Sequence, residues 1–288
     1  MARPFPAVTV TRKAESSLRA GHPWIYDTEV SVPDGTPNGS VCDVYSDKGV
    51  WLGAGLLSLH SKIRLRIISR NTNDRFDDIF WARRVKYAVD YRKNVMRDDF
   101  DCCRLIFGES DGLPGLTVDR YGAALVVQSL SYGIDMRKDI ILSSLLSCLK
   151  DEGVHIDGVF ERNDSQVREL EGLPQYKGWL ERDYCPRGNE TVVTISENGV
   201  RYAVDIENGQ KTGFFLDQKY NRRAVANLAH GKRVLDCFTH TGSFALNAAL
   251  GGAEHVTAVD VSQSAVDLAK SNAILNGLDG KMDFVCAD

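Results

Sequence analysis

No stretch of this chain is apolar for long enough to cross a membrane. The most apolar run, Ile140 to Leu149, falls far short of the roughly 20 residues that a spanning helix needs. The N-terminal MARPFPAVTV has no apolar core of the kind that marks a secretory signal. A cytoplasmic protein with no membrane partner is expected. The seven cysteines, Cys42, Cys102, Cys103, Cys148, Cys185, Cys237 and Cys286, form no Cys-x-x-Cys pair and have no histidine at ligand spacing. No metal site is therefore expected, and the thiols are read as free in a reducing compartment. An excess of positive charge is missing too. A net charge of −4 argues against a protein that coats nucleic acid indiscriminately, because such binding rests on neutralising phosphates with Lys and Arg.

The 288 residues, with 43% hydrophobic and 26% charged, are ordinary for a globular protein and long enough for two or three compact units. The charge is uneven. Residues 1–70 carry nine Lys or Arg against six acids, a net of +3 inside an acidic chain. From Val8 to about Arg70, short β-type runs alternate with Gly, Pro, Asn and Asp, which predicts a small barrel-like domain with one short helix over Lys13 to Ala20. In KIRLRII, strand alternation puts Lys62, Arg64 and Arg66 on one face and Ile63, Leu65 and Ile67 on the other. That basic face meets phosphate or is simply solvated. Asp77 to Arg97 has apolar residues at helical spacing among many charges and predicts an amphipathic helix linking two domains. Leu105 to about Gly188 then reads as a small α+β unit. The expected domains are 1–71, 72–188 and 189–288.

From Lys232 the pattern becomes strand, turn, helix, strand, helix, strand, which predicts an α/β domain built on a parallel sheet. Ligands in such sheets sit at the carboxyl ends of the strands, where this sequence places Asp236, Asp260 and Asp288. Asp236-x-Phe238-x-x-x-Gly242 sets a carboxylate before a turn whose glycine lets backbone approach a ligand, and that carboxylate suits a methionyl ammonium. Asp260 can accept hydrogen bonds from both ribose hydroxyls, and Asp288 from an adenine amino group. The dinucleotide fingerprint Gly-x-Gly-x-x-Gly is absent, and a carboxylate in its place would repel a pyrophosphate. S-adenosylmethionine, which has no phosphate, is therefore the expected cofactor. The plainer reading of these acids is as caps of helices and turns.

Three stretches, RKAESSLRAGHPWIYDTEV (12–30), RLIFGESDGLPGLTVDRYG (104–122) and NGQKTGFFLDQKYNRR (208–223), resemble the bacterial large-subunit rRNA cytosine-5 methyltransferases that carry an N-terminal PUA domain. The resemblance covers nearly the whole chain. It implies a PUA domain that docks ribosomal RNA, a central α+β domain and a Rossmann-like domain that delivers the methyl group. Arg12, Lys13, His22 and Trp24, with Lys62, Arg64 and Arg66, become RNA-contact candidates. In the family, the segment matching Gln210 to Gln218 lies over the cofactor, which makes Lys211, Thr212, Phe214, Asp217 and Gln218 candidates beside Asp236, Phe238, Gly242, Asp260 and Asp288. Asp217 also reads as the N-cap of a helix running to Leu228. Arg222 and Arg223 are read as phosphate contacts or as solvated. A homodimer is left open.

Methylating C5 of a pyrimidine requires a nucleophile that adds at C6. The resemblance places the family's catalytic cysteine and its Asp-Pro-Pro motif after a fourth strand, beyond Asp288, so no catalytic residue is assigned and a shortened, inactive chain is expected. Cys237 and Cys286 are read as buried thiols. The competing readings are a methyltransferase acting on another base or position, such as guanine N7, and a non-catalytic RNA-binding protein.

Overall fold

The computed structural model describes residues 3–288, and the chain divides into two compact units, one ending at Asn189 and one spanning Glu190–Asp288. Among the described residues, no helix is long and apolar enough to cross a membrane.

The first unit opens with β1 (Ala7–Val10), α1 (Arg12–Arg19), β2 (Trp24–Tyr26), β3 (Val30–Ser31), β4 (Val41–Tyr45), β5 (Trp51–Leu57) and β6 (Ile63–Ser69). The strands form one sheet in the order β2-β6-β5-β4-β1-β3, antiparallel except where β1 lies parallel to β4. Alternation along β1 buries Val8 and Val10, which pack with Ala14 and Leu18 of α1. Thr11 starts that helix by accepting a hydrogen bond from the Ala14 N–H at 3.4 Å.

The same unit continues through α2 (Asp78–Met96), β7 (Cys102–Phe107), β8 (Leu116–Tyr121), β9 (Ala124–Ser129), α3 (Tyr132–Asp135), α4 (Lys138–Asp151), β10 (Gly158–Asn163), α5 (Val167–Leu170) and β11 (Tyr176–Trp179). Its five-stranded sheet runs β11-β10-β9-β8-β7. The parallel pair β9 and β10 is joined through α4, as a crossover requires. Asp77 caps α2 by accepting from the Phe80 N–H at 3.0 Å. The expected linker helix is not a linker. Phe80, Trp81, Val85, Ala88 and Val89 lie in one core with Leu105 and Val118 of the central sheet, Leu142 and Leu145 of α4, and Ala54, Leu56 and Ile68 of the first sheet. Burying each such large side chain contributes roughly 1.5–3 kcal/mol, which holds the helix as an internal layer.

The second unit begins with a hairpin, β12 (Val192–Glu197) and β13 (Val200–Asp205). It turns at Asn198-Gly199, both with positive φ (54° and 83°), the conformation that two-residue hairpin turns favour. There follow α6 (Lys219–Leu228), β14 (Arg233–Cys237), α7 (Ser243–Leu250), β15 (His255–Asp260), α8 (Gln263–Leu275) and β16 (Met282–Cys286). The three strands pair in parallel in the order β14-β15-β16. Strand-helix alternation thus produces the parallel sheet that the sequence predicts. The helix expected from Asp217 starts at Lys219 instead. Its preceding residue Gln218 makes no side-chain cap, and Asp217 accepts from Gln218 Nε2 at 3.0 Å.

Candidate functional site

In the second unit, a cavity of about 680 Å³ opens at the carboxyl ends of β14 and β15, within the roughly 300–1,000 Å³ common for small-molecule sites. Its walls come from three places. Asp205, Phe214 and Phe215 enter from the hairpin and the turn after it, Phe238 and His240 from the β14–α7 turn, and Asp260 and Ser262 from the β15–α8 turn.

Asp260 ties two of these walls together. Its Oδ2 accepts the His240 N–H at 2.8 Å and its Oδ1 accepts the Ser262 N–H at 3.0 Å. The carboxylate, which lines the cavity, is thereby fixed with acceptor capacity left on each oxygen. The β14–α7 turn is itself strained, with positive φ at Phe238 (61°) and His240 (49°) as well as at Gly242. Non-glycine residues hold such conformations only where their surroundings enforce them. Phe238 stands 88% exposed at the cavity's edge.

Asp236 does not line the cavity. Its Oδ2 accepts from Thr239 Oγ1 at 2.6 Å and from the Ala245 N–H at 3.0 Å, so it staples the turn to the start of α7. Burial pushes its carboxyl above the usual range, the two hydrogen bonds oppose that, and the Asp260 charge adds to the rise. The space left by Gly242 is taken by protein, not held for a ligand: a Cβ there would stand 2.9 Å from Cβ of Ala269 on α8. Asp288 lies exposed beyond β16, outside the cavity lining. Of the segment expected over the cofactor, Gln210, Gly213, Phe214 and Phe215 line the cavity, and of the candidates singled out in it Phe214 does so. Thr212 is buried, Gln218 bonds to Asp217 and Asn221, and the Lys211 ammonium lies 4.9 Å from the centre of the Phe215 ring.

Sequence reasoning misses His240, Phe215 and Asp205. His240 sits four residues after Asp236 in the predicted turn, where its position is the available signal; Phe215 lies within the segment expected over the cofactor without being singled out there, and Asp205 reaches the site through folding of the hairpin. The His240 ring meets Phe215 edge-on at 5.9 Å. Burial holds its imidazole below the ordinary value of 6.5, against the opposing pull of Asp260. A depressed folded-state value means that the unfolded chain takes up the proton first as pH falls. The stability it contributes is therefore complete above 6.5 and is lost on acidification through that value towards the folded one. His240→Gln is expected to flatten the acid limb of the second unit's stability, followed by urea unfolding from neutral pH downwards; an unchanged slope would mean that the ring is solvated.

In the first unit, the expected basic face is not uniform. Arg66 is 6% exposed and its guanidinium meets Glu171 at 2.7 Å, because the turn after α5 packs over that side of β6. It is not a phosphate contact. Arg64 is half-buried and donates to the carbonyls of Ser58 and Leu59, while Lys62 is exposed. Trp24 Nε1 donates to Glu109 at 2.7 Å, and the exposed His22 ring stands edge-on to it at 5.8 Å. Arg12 pairs with Asp47 at 3.1 Å and Lys13 with Glu29 at 2.9 Å, the latter pair raising the lysine's pKa. Arg222, read as a phosphate contact or solvated, is neither: it is 1% exposed and grips Glu197 with two N–H groups at 2.6 and 2.9 Å. Arg223 is exposed, 5.4 Å from the Tyr220 ring centre. The thiols also differ from expectation, since Cys237 and Cys286 are exposed. Those of Cys42 and Cys103 are buried and pushed up to about 12 by burial.

Among the described residues, no group of three or more His, Cys, Asp or Glu could hold a metal ion. The cavity is lined by two carboxylates and by no lysine or arginine. That charge pattern fits a cationic ligand without phosphate, and the apolar rings fit an adenosine. A family model of PUA-like domains matches residues 8–70, and one of S-adenosylmethionine-dependent methyltransferases matches residues 145–288. The ribosomal RNA large subunit methyltransferase I of Klebsiella pneumoniae strain 342 is 39% identical over 287 residues, 99% of this chain and 70% of that protein. The chain belongs to the ribosomal RNA large subunit methyltransferase I family. The member from Vibrio cholerae serotype O1 is 42% identical over 276 residues, 95% of this chain and 67% of its own length. A solved structure from Streptococcus mutans, described as a candidate SAM-dependent methyltransferase, superposes with a TM-score of 0.80 at 25% identity, over 98% of this chain and 71% of that one. Another candidate methyltransferase, solved in complex with S-adenosylhomocysteine, has a TM-score of 0.82 at 25% identity over 98% and 70%. The family fold is thus a PUA-like sheet with a Rossmann-like domain, and the cofactor is S-adenosylmethionine. The shares of length describe overlap and not turnover, and the expected shortening and inactivity find no support in them.

Proposed function

We propose that this family member transfers a methyl group from S-adenosylmethionine to C5 of a cytosine in large-subunit ribosomal RNA, working in the cytoplasm. The observation that carries the reading is the Asp260 carboxylate, fixed by two backbone N–H groups in a cavity whose walls carry no cationic side chain other than a histidine held towards neutrality. Phosphate ligands are disfavoured there, and a ribose with a cationic tail is favoured. S-adenosylmethionine supplies an electrophilic methyl on a sulfonium. Asp260 accepts from the ribose hydroxyls, while Phe214 and Phe215 wall the cavity and the exposed Phe238 ring stands at its edge. Asp205 is placed for the amino group of the methionyl part because it lines the cavity and Asp236 does not, although the Glu207 and Asn208 N–H groups and the Asn208 amide already donate to Asp205. The relatives' names support large-subunit rRNA as substrate, and the three motif stretches support C5 of cytosine. No nucleophile is assigned to a residue of this chain.

The test follows from the hydrogen that the methyl group replaces. Large-subunit rRNA carrying tritium at cytosine C5 is incubated with the natural full-length protein and methyl-labelled cofactor. Incorporation with matching tritium release is the expected result. Incorporation without release moves the methyl to another position, and a protein that binds cofactor and rRNA but transfers nothing overturns the enzymatic reading.

A further inference from the structure

On the face of β6 that the sequence marks for RNA, Arg66 is lost to Glu171 and Arg64 is half-buried with Nη1 on the carbonyls of Ser58 and Leu59, which leaves Lys62 as its exposed cation. A different part of the same sheet keeps its cations exposed. A cleft of about 350 Å³ is lined by Leu18 and Arg19 at the end of α1, Trp51 and Leu52 at the start of β5, and Arg70 just after β6. The Arg19 side chain is 57% exposed and braced by Glu15, one turn earlier, through Nε and Nη2 at 2.9 and 2.8 Å. Arg70, also exposed, is anchored by Nη2 on the Leu18 carbonyl at 2.8 Å. A guanidinium has five N–H donors, so both keep donors for a ligand. Trp51 is half-buried against the core, with Nε1 donating to Asp43 at 3.0 Å and the Arg3 guanidinium over its ring 5.5 Å from the centre, and the part of the ring left exposed lines the cleft.

The geometry points to this cleft as a single-stranded RNA contact of the PUA-like sheet, with Arg19 and Arg70 on backbone phosphate and Trp51 as the platform for a base. The inference rests on the RNA substrate proposed above and relocates its docking surface. Paired guanidiniums match phosphate in geometry and charge. An aromatic wall in the same cleft selects a nucleic acid with an unstacked base over an acidic peptide, since duplex RNA does not present a base face. Preset side chains lose little freedom on binding, which favours affinity without any net positive charge on the whole chain.

The experiment follows fluorescence anisotropy of a labelled 12-residue oligouridine bound to the full chain over a salt series. Each phosphate contact on a single strand contributes about 0.7 to the slope of log affinity against log salt. The double variant Arg19→Gln/Arg70→Gln is expected to reduce that slope by about 1.4 and to weaken binding about tenfold at low salt. Both side chains are exposed, so folding is not at stake, and Lys62→Ala tests the β6 face that the sequence marks for RNA. An abasic oligomer of the same length should bind the unaltered chain about tenfold more weakly if a base stacks on Trp51. Unchanged slope and affinity in the double variant, a loss confined to Lys62→Ala, or displacement of the oligouridine by polyglutamate as readily as by unlabelled RNA would each overturn the cleft. If the unaltered chain fails to bind any RNA, the RNA reading falls and takes the cleft with it, whereas failure of the variant alone leaves that reading standing.

Discussion

Asp260→Ala is expected to weaken S-adenosylmethionine binding about 100-fold, read by isothermal titration. The carboxylate sits at the end of β15 with one backbone N–H on each oxygen, which fixes its orientation before any ligand arrives. Hydrogen bonds to a charged group contribute about 1.5–3 kcal/mol each, so two ribose hydroxyls lost together correspond to at least about 3 kcal/mol, or two decades of affinity. The same substitution also frees the His240 and Ser262 N–H groups, so some loss of stability accompanies it. A ligand pair separates the two effects. Adenosine should bind the unaltered chain much better than 2′,3′-dideoxyadenosine, and that preference should vanish in the variant. A variant that unfolds more easily yet keeps the preference would show that Asp260 is only a staple between two turns, and the ribose assignment would fail.

Asp260 is also where sequence and structure agree most closely, and the reason is local. Parallel strands separated by helices place strand-end residues at one edge of the sheet, so its location follows from spacing alone. Asp236 has the same address in the sequence and a different task, because a carboxylate one residue further back in β14 meets Thr239 and the Ala245 N–H before it meets the cavity. Which of two neighbouring acids faces a ligand depends on the turn's dihedral angles, and those are not written in spacing. The hairpin is the opposite case. Asn198-Gly199 between two alternating runs is a strong short-range signal, yet it lies outside the stretches that motif and periodicity single out, and with it Asp205 goes unread. The arginines are harder still. Arg66 meets its partner Glu171 across 105 residues of sequence. In such cases an alternating pattern on a strand says which side a residue takes, but not what covers that side. The α2 helix carries the same lesson, since its many charges suggest a solvated linker while its Phe80, Trp81 and Val85 lie in the core.

Arg222→Met is expected to destabilise the second unit by about 3–5 kcal/mol, the range for removing one member of a buried ion pair. Glu197 is only 3% exposed, and without the guanidinium its charge is left with no compensating partner. Adding Glu197→Leu should restore much of the lost stability in denaturant unfolding, because replacing both members by apolar groups is close to neutral. Cofactor affinity should not return with it. Arg222 Nη2 also donates to the Phe215 carbonyl at 2.9 Å, and its guanidinium lies 4.5 Å from the Phe214 ring centre. Those two phenylalanines form one wall of the cavity. The ion pair therefore does two separable things: its charges balance each other inside the fold, and its third hydrogen bond sets where the wall stands. If the double variant regains both stability and affinity, the wall is positioned by packing alone. If stability returns while S-adenosylmethionine binding stays weakened, Arg222 is a positioning residue for the site it never touches.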